Sequence, residues 1–290
     1  MSRKLKIAAA QLISRPADKK ANLEKIKKYT KLAAEEGADF VVFPEMFYSG
    51  YDISKEQALE LAEKQDGKLY QELSALAREN NLYIICGYAE LTENEQSTYI
   101  STMAVGRDGL FLGNHRKTYL SGGMEKENAT PGDEYEVFDT EYGKMGMLIC
   151  YEMEYPEPAR ILAFKGAEVI FVPAAFMNVH WMSRFLYAIA IHNQMYIVGV
   201  NHVGNRKGGC SKIISQMGLP MAEGSMTGEE LVMAEIDLDS NVRRTQPHYY
   251  EFRPETLKKC YDAYQTNRDM LRGRFDPEDE SLGYYREEDK

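Results

Sequence analysis

Nowhere in the chain do about 18 apolar residues run together, the length that a membrane-spanning helix needs. The start, Met1-Ser2-Arg3-Lys4-Leu5-Lys6-Ile7-Ala8-Ala9-Ala10-Gln11, is basic but lacks the long apolar stretch of a secretory leader. A cytoplasmic protein with no membrane partner is therefore expected. Cysteine is scarce: Cys86, Cys150, Cys210 and Cys260 stand far apart and form no CxxC pair. That spacing excludes a disulfide scaffold and a cysteine-based zinc site. No histidine cluster and no glycine-rich phosphate loop occur, so the sequence implies neither a metal nor an organic cofactor. Positive charge is in deficit, with a net charge of −10 and the lysines and arginines dispersed. No nucleic-acid partner is expected of such a surface.

What is present suits a large folded core: 290 residues, 44% hydrophobic and 28% charged. Residues 4–12 read as a strand, and 18–36 as a helix with Leu23, Ile26, Leu32 and Ala33 on one face and Gly37 closing it. Asp39-Phe40-Val41-Val42-Phe43 is a buried strand stopped by Pro44. A helix over 68–80 and the strand Leu82-Tyr83-Ile84-Ile85-Cys86 follow. This alternation predicts right-handed crossovers and a sheet covered by helices. Strands at 98–106 and 109–115, joined across Arg107-Asp108-Gly109, predict a hairpin and so a mixed sheet. Residues 121–134 read as a charged, glycine-containing loop. Then come a strand ending at Cys150, a helix over 156–165, the strand Glu168–Val172 stopped by Pro173, a helix over 181–193, the strand Tyr196–Val200, and short strands near 211–215 and 231–237. From about 240, through Asn241-Val242-Arg243-Arg244 and then 265–290, the chain turns polar and reads as a tail that lies on a partner subunit or stays mobile.

Three reactive side chains fall just beyond strand ends: Glu45 after Phe43-Pro44, Lys117 in Asn114-His115-Arg116-Lys117-Thr118-Tyr119-Leu120, and Cys150. Loops converge at the C-terminal ends of strands in α/β sheets, which is where sites collect. A carboxylate, an ammonium and a thiol together can run acyl transfer. The carboxylate takes the thiol proton, the thiolate attacks an electrophilic carbon, and the ammonium holds the charge that develops. Taken singly, each has a plainer reading: Cys150 as core, Glu45 as a turn cap, Lys117 as a solvated basic residue.

Four ordered blocks carry a resemblance to the nitrilase superfamily of carbon–nitrogen hydrolases, over about residues 4–255. They are Phe43-Pro44-Glu45-Met46-Phe47 with Gly50-Tyr51; Arg116-Lys117-Thr118-Tyr119-Leu120 leading to Glu125 and Thr130-Pro131-Gly132; Gly146-Met147-Leu148-Ile149-Cys150-Tyr151-Glu152 with Tyr155-Pro156-Glu157; and Asn201-His202-Val203-Gly204. The resemblance implies a four-layer α-β-β-α sandwich with two mixed six-stranded sheets. It also implies a hydrolase domain over 1–255 with a C-terminal tail over 256–290, and pairing into a dimer or larger homo-oligomer. It makes Glu45 the general base, Lys117 the oxyanion-side cation and Cys150 the nucleophile. Glu125 would orient Lys117 or the substrate nitrogen, and the Tyr151 N–H would complete the oxyanion hole.

Substrate contacts are expected from Tyr51 and from Ala175, Phe176 and Trp181, around the loop past the strand that Pro173 stops; helix-start packing is the other reading of Trp181. Where relatives commonly carry Arg-Ala-x-Glu-Asn this chain has Tyr187-Ala188-Ile189-Ala190-Ile191-His192-Asn193, and His192 reads as packed within its helix. Cys86 reads as core, Cys210 as a bystander and Cys260 as an incidental thiol. The run Cys150-Tyr151-Glu152-Met153-Glu154-Tyr155-Pro156-Glu157 looks like the amidase side of the superfamily, and the expected substrate is a small carboxamide. An N-carbamoyl amine or amino acid hydrolase comes second and a nitrilase third. From other classes, a thiol redox protein or a non-catalytic binding protein on the same scaffold stays open, although the first would not need Glu45 and Lys117 at these positions.

Overall fold

The computed structural model describes residues 3–204, 206–240 and 254–274. The first compact unit, Met1–Val242, holds two six-stranded sheets. One has the order β14-β1-β2-β3-β4-β5, built from β14 (Glu230–Asp237), β1 (Lys4–Gln11), β2 (Phe40–Val42), β3 (Tyr83–Leu91), β4 (Thr98–Val105) and β5 (Phe111–Arg116). The other runs β13-β12-β9-β8-β7-β6, from β13 (Pro220–Glu223), β12 (Lys212–Ile214), β9 (Tyr196–Asn201), β8 (Val169–Ala174), β7 (Lys144–Met147) and β6 (Val137–Asp139). Each sheet has three parallel strands at its centre, β1-β2-β3 and β7-β8-β9, with antiparallel neighbours outside them.

The central parallel strands are buried on both faces, and their alternation separates three apolar layers. Ile7, Ala9, Phe40, Val42, Val169 and Phe171 meet between the two sheets. Ala8, Ala10, Val41 and Ile84 point the other way, onto Leu23 and Ile26 of α1 (Lys19–Glu35) and Leu69 and Leu73 of α3 (Lys68–Asn80). Ile170 and Val172 face Ala159 and Leu162 of α5 (Pro156–Phe164) and Met182 and Leu186 of α6 (Val179–Asn193). The result is the expected α-β-β-α sandwich. Local signals set the helix ends: the Asp18 side chain accepts from Ala21 N at the start of α1, and Pro156 opens α5.

Several details differ from the sequence reading. Within 121–134 the chain makes a one-turn helix, α4 (Met124–Asn128), and α2 (Lys55–Leu61), β6, β13 and the short pair β10 (Val203–Gly204) and β11 (Lys207–Gly208) are additional. Such pieces are too short to show a period. The strand before Cys150 stops at Met147, and Cys150 opens a 3₁₀ turn, Cys150–Glu154. His192 is exposed rather than packed, because it falls on the outer face of α6, where its carbonyl accepts from Arg160 Nη2. In the second unit, Arg243–Lys290, residues 254–274 form a helix, α7 (Pro254–Arg274), with Lys258 and Asp262 paired at 3.0 Å along it. Asn241-Val242-Arg243-Arg244 and the polar stretch from 275 to 290 lie outside the described residues. Cys86 is buried in the core and Cys260 is exposed on α7.

Candidate active site

Glu45, Lys117 and Cys150 come together. Glu45 lies in the turn after β2, Lys117 directly after β5, and Cys150 in the turn after β7, so two sheets contribute to one site. Lys117 Nζ lies 2.6 Å from Glu45 Oε1 and 2.8 Å from Glu125 Oε1. The Lys117 and Glu45 side chains are wholly buried. Glu45 Oε2 is buried with no hydrogen-bond partner among the described residues, and the nearby Cys150 thiol helps to hold this carboxylate down. Glu125 accepts in addition from the Tyr51 hydroxyl at 2.7 Å and from Ser121 N at 2.8 Å. The Ala175 N–H points at the Cys150 sulfur. Tyr151 sits in the first turn of its 3₁₀ helix, where an N–H has no intrahelical acceptor and can serve an oxyanion.

Strain marks the same spot. Cys150 has φ +48° and Met46, next to Glu45, has φ +49°. Non-glycine residues in the left-handed region cost about 1 kcal/mol or more each, and they persist where the surroundings hold them. At Cys150 the sharp turn projects the thiol from the strand end.

Burial and the ion pair set the protonation states. Burial pushes Glu45 up, Lys117 pulls it back, and the balance leaves it at about 7. Burial, reinforced by Glu45, drives the Cys150 thiol well above its ordinary value, so the resting thiol keeps its proton. Burial opposes the charge on Lys117, but Glu45 and Glu125 outweigh it and hold the ammonium charged. Glu125, despite its burial, is held low by Lys117 and Tyr51. Tyr51, buried and beside the carboxylates, stays protonated and donates.

Supporting contacts absent from the sequence reading complete the site. His202 Nε2–H donates to the Glu45 carbonyl at 2.7 Å, and burial holds this imidazole at about 4, so it is neutral near pH 7. Asn201 grips the backbone of Phe176 through both its side-chain atoms. Gly87 in β3 makes room for the 44–46 turn: a Cβ there would stand 2.5 Å from Pro44 O and Met46 N. On the outer face of β5, Arg116 pairs with buried Glu90 through Nε at 3.0 Å and Nη2 at 2.6 Å, which fixes the strand carrying Lys117. Phe176 is half-buried at the strand end, whereas Trp181 is 53% exposed, with its ring against Phe185. Met46, Tyr51, Ile53, Ile100 and Glu125 line a small, mostly apolar cavity beside the carboxylates. Among the described residues no group of three or more His, Cys, Asp and Glu is placed to hold a metal ion.

Residues 6–244 match the carbon-nitrogen hydrolase family, and the chain belongs to it. A protein named nitrilase from Pyrococcus abyssi is 36% identical over 241 residues, covering 81% of this chain and 90% of that one. Omega-amidase NIT2-B of Xenopus laevis is 34% identical over 253 residues, covering 81% of this chain and 89% of the relative. The crystal structure of Saccharomyces cerevisiae Nit3, described as a member of branch 10 of the nitrilase superfamily, superposes with a TM-score of 0.76 at 31% identity, covering 84% of this chain and 94% of that one. The protein is thus an enzyme of the carbon–nitrogen hydrolase class.

Proposed function

We propose that the protein is an amidase that converts a small carboxamide to a carboxylic acid and ammonia through a thioester on Cys150. The observation that carries this is the buried Glu45–Lys117 pair beside a protonated thiol, with Glu45 Oε2 left unpaired. Glu45 takes the thiol proton as sulfur attacks the amide carbonyl carbon. The oxyanion is held by the Lys117 ammonium and the Tyr151 N–H. Amide nitrogen leaves poorly as an anion, so protonated Glu45 returns the proton to it while the C–N bond breaks and ammonia departs. Glu45, ionised again, then takes a proton from water. The hydroxide equivalent attacks the thioester, and the thiol is re-formed as the acid leaves. An oxyanion hole of this kind contributes about 3 kcal/mol per donor to lowering the barrier.

The omega-amidase name of several relatives supports an amide substrate. Ammonia release from purified protein, measured across carboxamides, ureido acids and nitriles, tests the reading. Turnover of carboxamides is expected. Exclusive turnover of ureido acids or of nitriles would replace it with a carbamoyl hydrolase or a nitrilase.

The active form is a dimer. Ile161 and Phe164 on α5 and Ile191 on α6 are exposed, and Arg160 ties the two helices together through the His192 carbonyl. Large apolar side chains exposed on neighbouring helices are a common dimer seam. Sedimentation should show a dimer that Ile191→Lys dissociates; a wild-type monomer would contradict it.

A further inference from the structure

Glu152 is fully buried, lies two residues beyond the nucleophile, and is saturated with donors. Its Oε1 accepts from Thr118 N at 2.8 Å and Thr118 Oγ1 at 2.7 Å. Its Oε2 accepts from Ile149 N at 2.6 Å and pairs with His115 Nε2 at 2.7 Å. These partners fall into two groups. His115 and Thr118 flank Lys117 along the chain, and Ile149 precedes Cys150. His115 and Lys117 alternate onto the same face, opposite Arg116. The carboxylate therefore spans from the edge strand of one sheet, which bears the ammonium, to the turn of the other sheet, which bears the thiol.

A saturated carboxylate has no lone pair left for proton transfer. Burial alone would raise Glu152, but His115 and Thr118 outweigh it and hold the group below the usual carboxylate range. With its oxygens engaged by four donors and its pKa held low, Glu152 is not placed to exchange a proton, and geometry is the contribution left to it.

We propose that Glu152, with His115 and Thr118, is a positioning unit that fixes the separation between the Lys117 ammonium and the Cys150 sulfur, and so the fit of the oxyanion hole to the tetrahedral intermediate. The proposal rests on the thioester reading above. A misplacement of about 1 Å at a reacting centre costs on the order of a hundredfold in rate, and loss of an oxyanion donor costs a similar factor.

The test compares two reactions of Cys150 in the full-length protein. Amide hydrolysis forms an oxyanion. Alkylation by iodoacetamide displaces iodide at a saturated carbon and forms none, so it needs the thiol and Glu45 but not the hole. Alkylation is followed at the Cys150 peptide by mass spectrometry. Glu152→Gln is expected to lower kcat about 100-fold, with KM and the alkylation rate each within about threefold of wild type. His115→Leu should lower kcat about tenfold, while His115→Gln, which keeps an N–H donor, restores it. A folded Glu152→Gln protein with wild-type kcat overturns the proposal, as does a parallel fall in kcat and alkylation. Should Glu152→Gln fail to fold, the His115 pair and Thr118→Val decide by the same two rates. A wild-type enzyme that alkylates normally but releases no ammonia from any amide overturns the hydrolytic reading itself, and the positioning role with it.

Discussion

The Lys117 ammonium lies 2.6 Å from Glu45 Oε1 in a site where both side chains are wholly buried. A buried pair of this kind is costly to break, because removing one partner strands the other charge. Here the pair leaves Glu45 at about 7, where a carboxylate can both take and return a proton near neutral pH.

The first prediction concerns pH. Glu45 must be ionised to accept the thiol proton, so kcat/KM should fall about tenfold per pH unit below about 7 and level off above it. The Glu125 charge raises Glu45. Glu125→Gln removes that repulsion and should move the acid limb to lower pH, alongside any loss of rate. A limb that stays in place or moves up would show that the limb belongs to another group.

Cys150→Ala should abolish turnover while leaving the circular dichroism spectrum and melting temperature near those of wild type. Quenching the wild-type reaction in acid should reveal, by mass spectrometry, an enzyme heavier by the acyl group on the Cys150 peptide. A Cys150→Ala protein that kept most of its activity would end the thioester mechanism.

Gly87→Ala tests the close approach behind Glu45. The added Cβ would stand 2.5 Å from Pro44 O and 2.9 Å from the Glu45 carbonyl carbon, backbone atoms of the turn that carries Glu45. A destabilisation of about 2 kcal/mol and a loss of activity of more than tenfold are expected. Gly122→Ala, in the loop before α4 with nothing within 4 Å of its Cβ, is the control and should melt with the wild type.

His202 gives a stability prediction. Its folded value of about 4 lies below the ordinary 6.5. Between those values the unfolded chain binds a proton that the folded chain does not, so stability rises with pH across this window and is lost as pH falls through it. The contribution amounts to about 3 kcal/mol, at about 1.4 kcal/mol per pH unit. Denaturant melts at pH 7 and pH 4.5 should show a gap for wild type that His202→Gln narrows. An equal gap in both would place the acid sensitivity elsewhere.

That Glu45, Lys117 and Cys150 could meet was legible because each falls just past a strand: Pro44 stops the first, and a turn into a 3₁₀ helix follows the third. The hairpin across Asp108-Gly109 was legible for the same reason, since turn chemistry is local. Glu152 stood in the block around Cys150, but its contacts were not legible, because His115 and Thr118 lie more than thirty residues away in the chain. His115 left a faint trace, a polar residue two before Lys117 in a strand pattern and hence on its face. The division into two sheets could not be read from pattern at all. β5 ends one sheet and β6 begins the other, yet both are ordinary strands with antiparallel partners, and strand alternation does not say which neighbour a strand will find. α4, at five residues, has no period to detect, although it carries Glu125.

Glu45 and Lys117 hang from one sheet and Cys150 from the other. Neither half of the sandwich owns a working set. During folding the thiol meets its base only when the two layers close on each other, so a chain caught with one sheet formed is chemically inert rather than half-active. The first molecule of ammonia released by a refolding sample therefore dates the docking of the two sheets, an event that a spectroscopic signal from either sheet alone would miss.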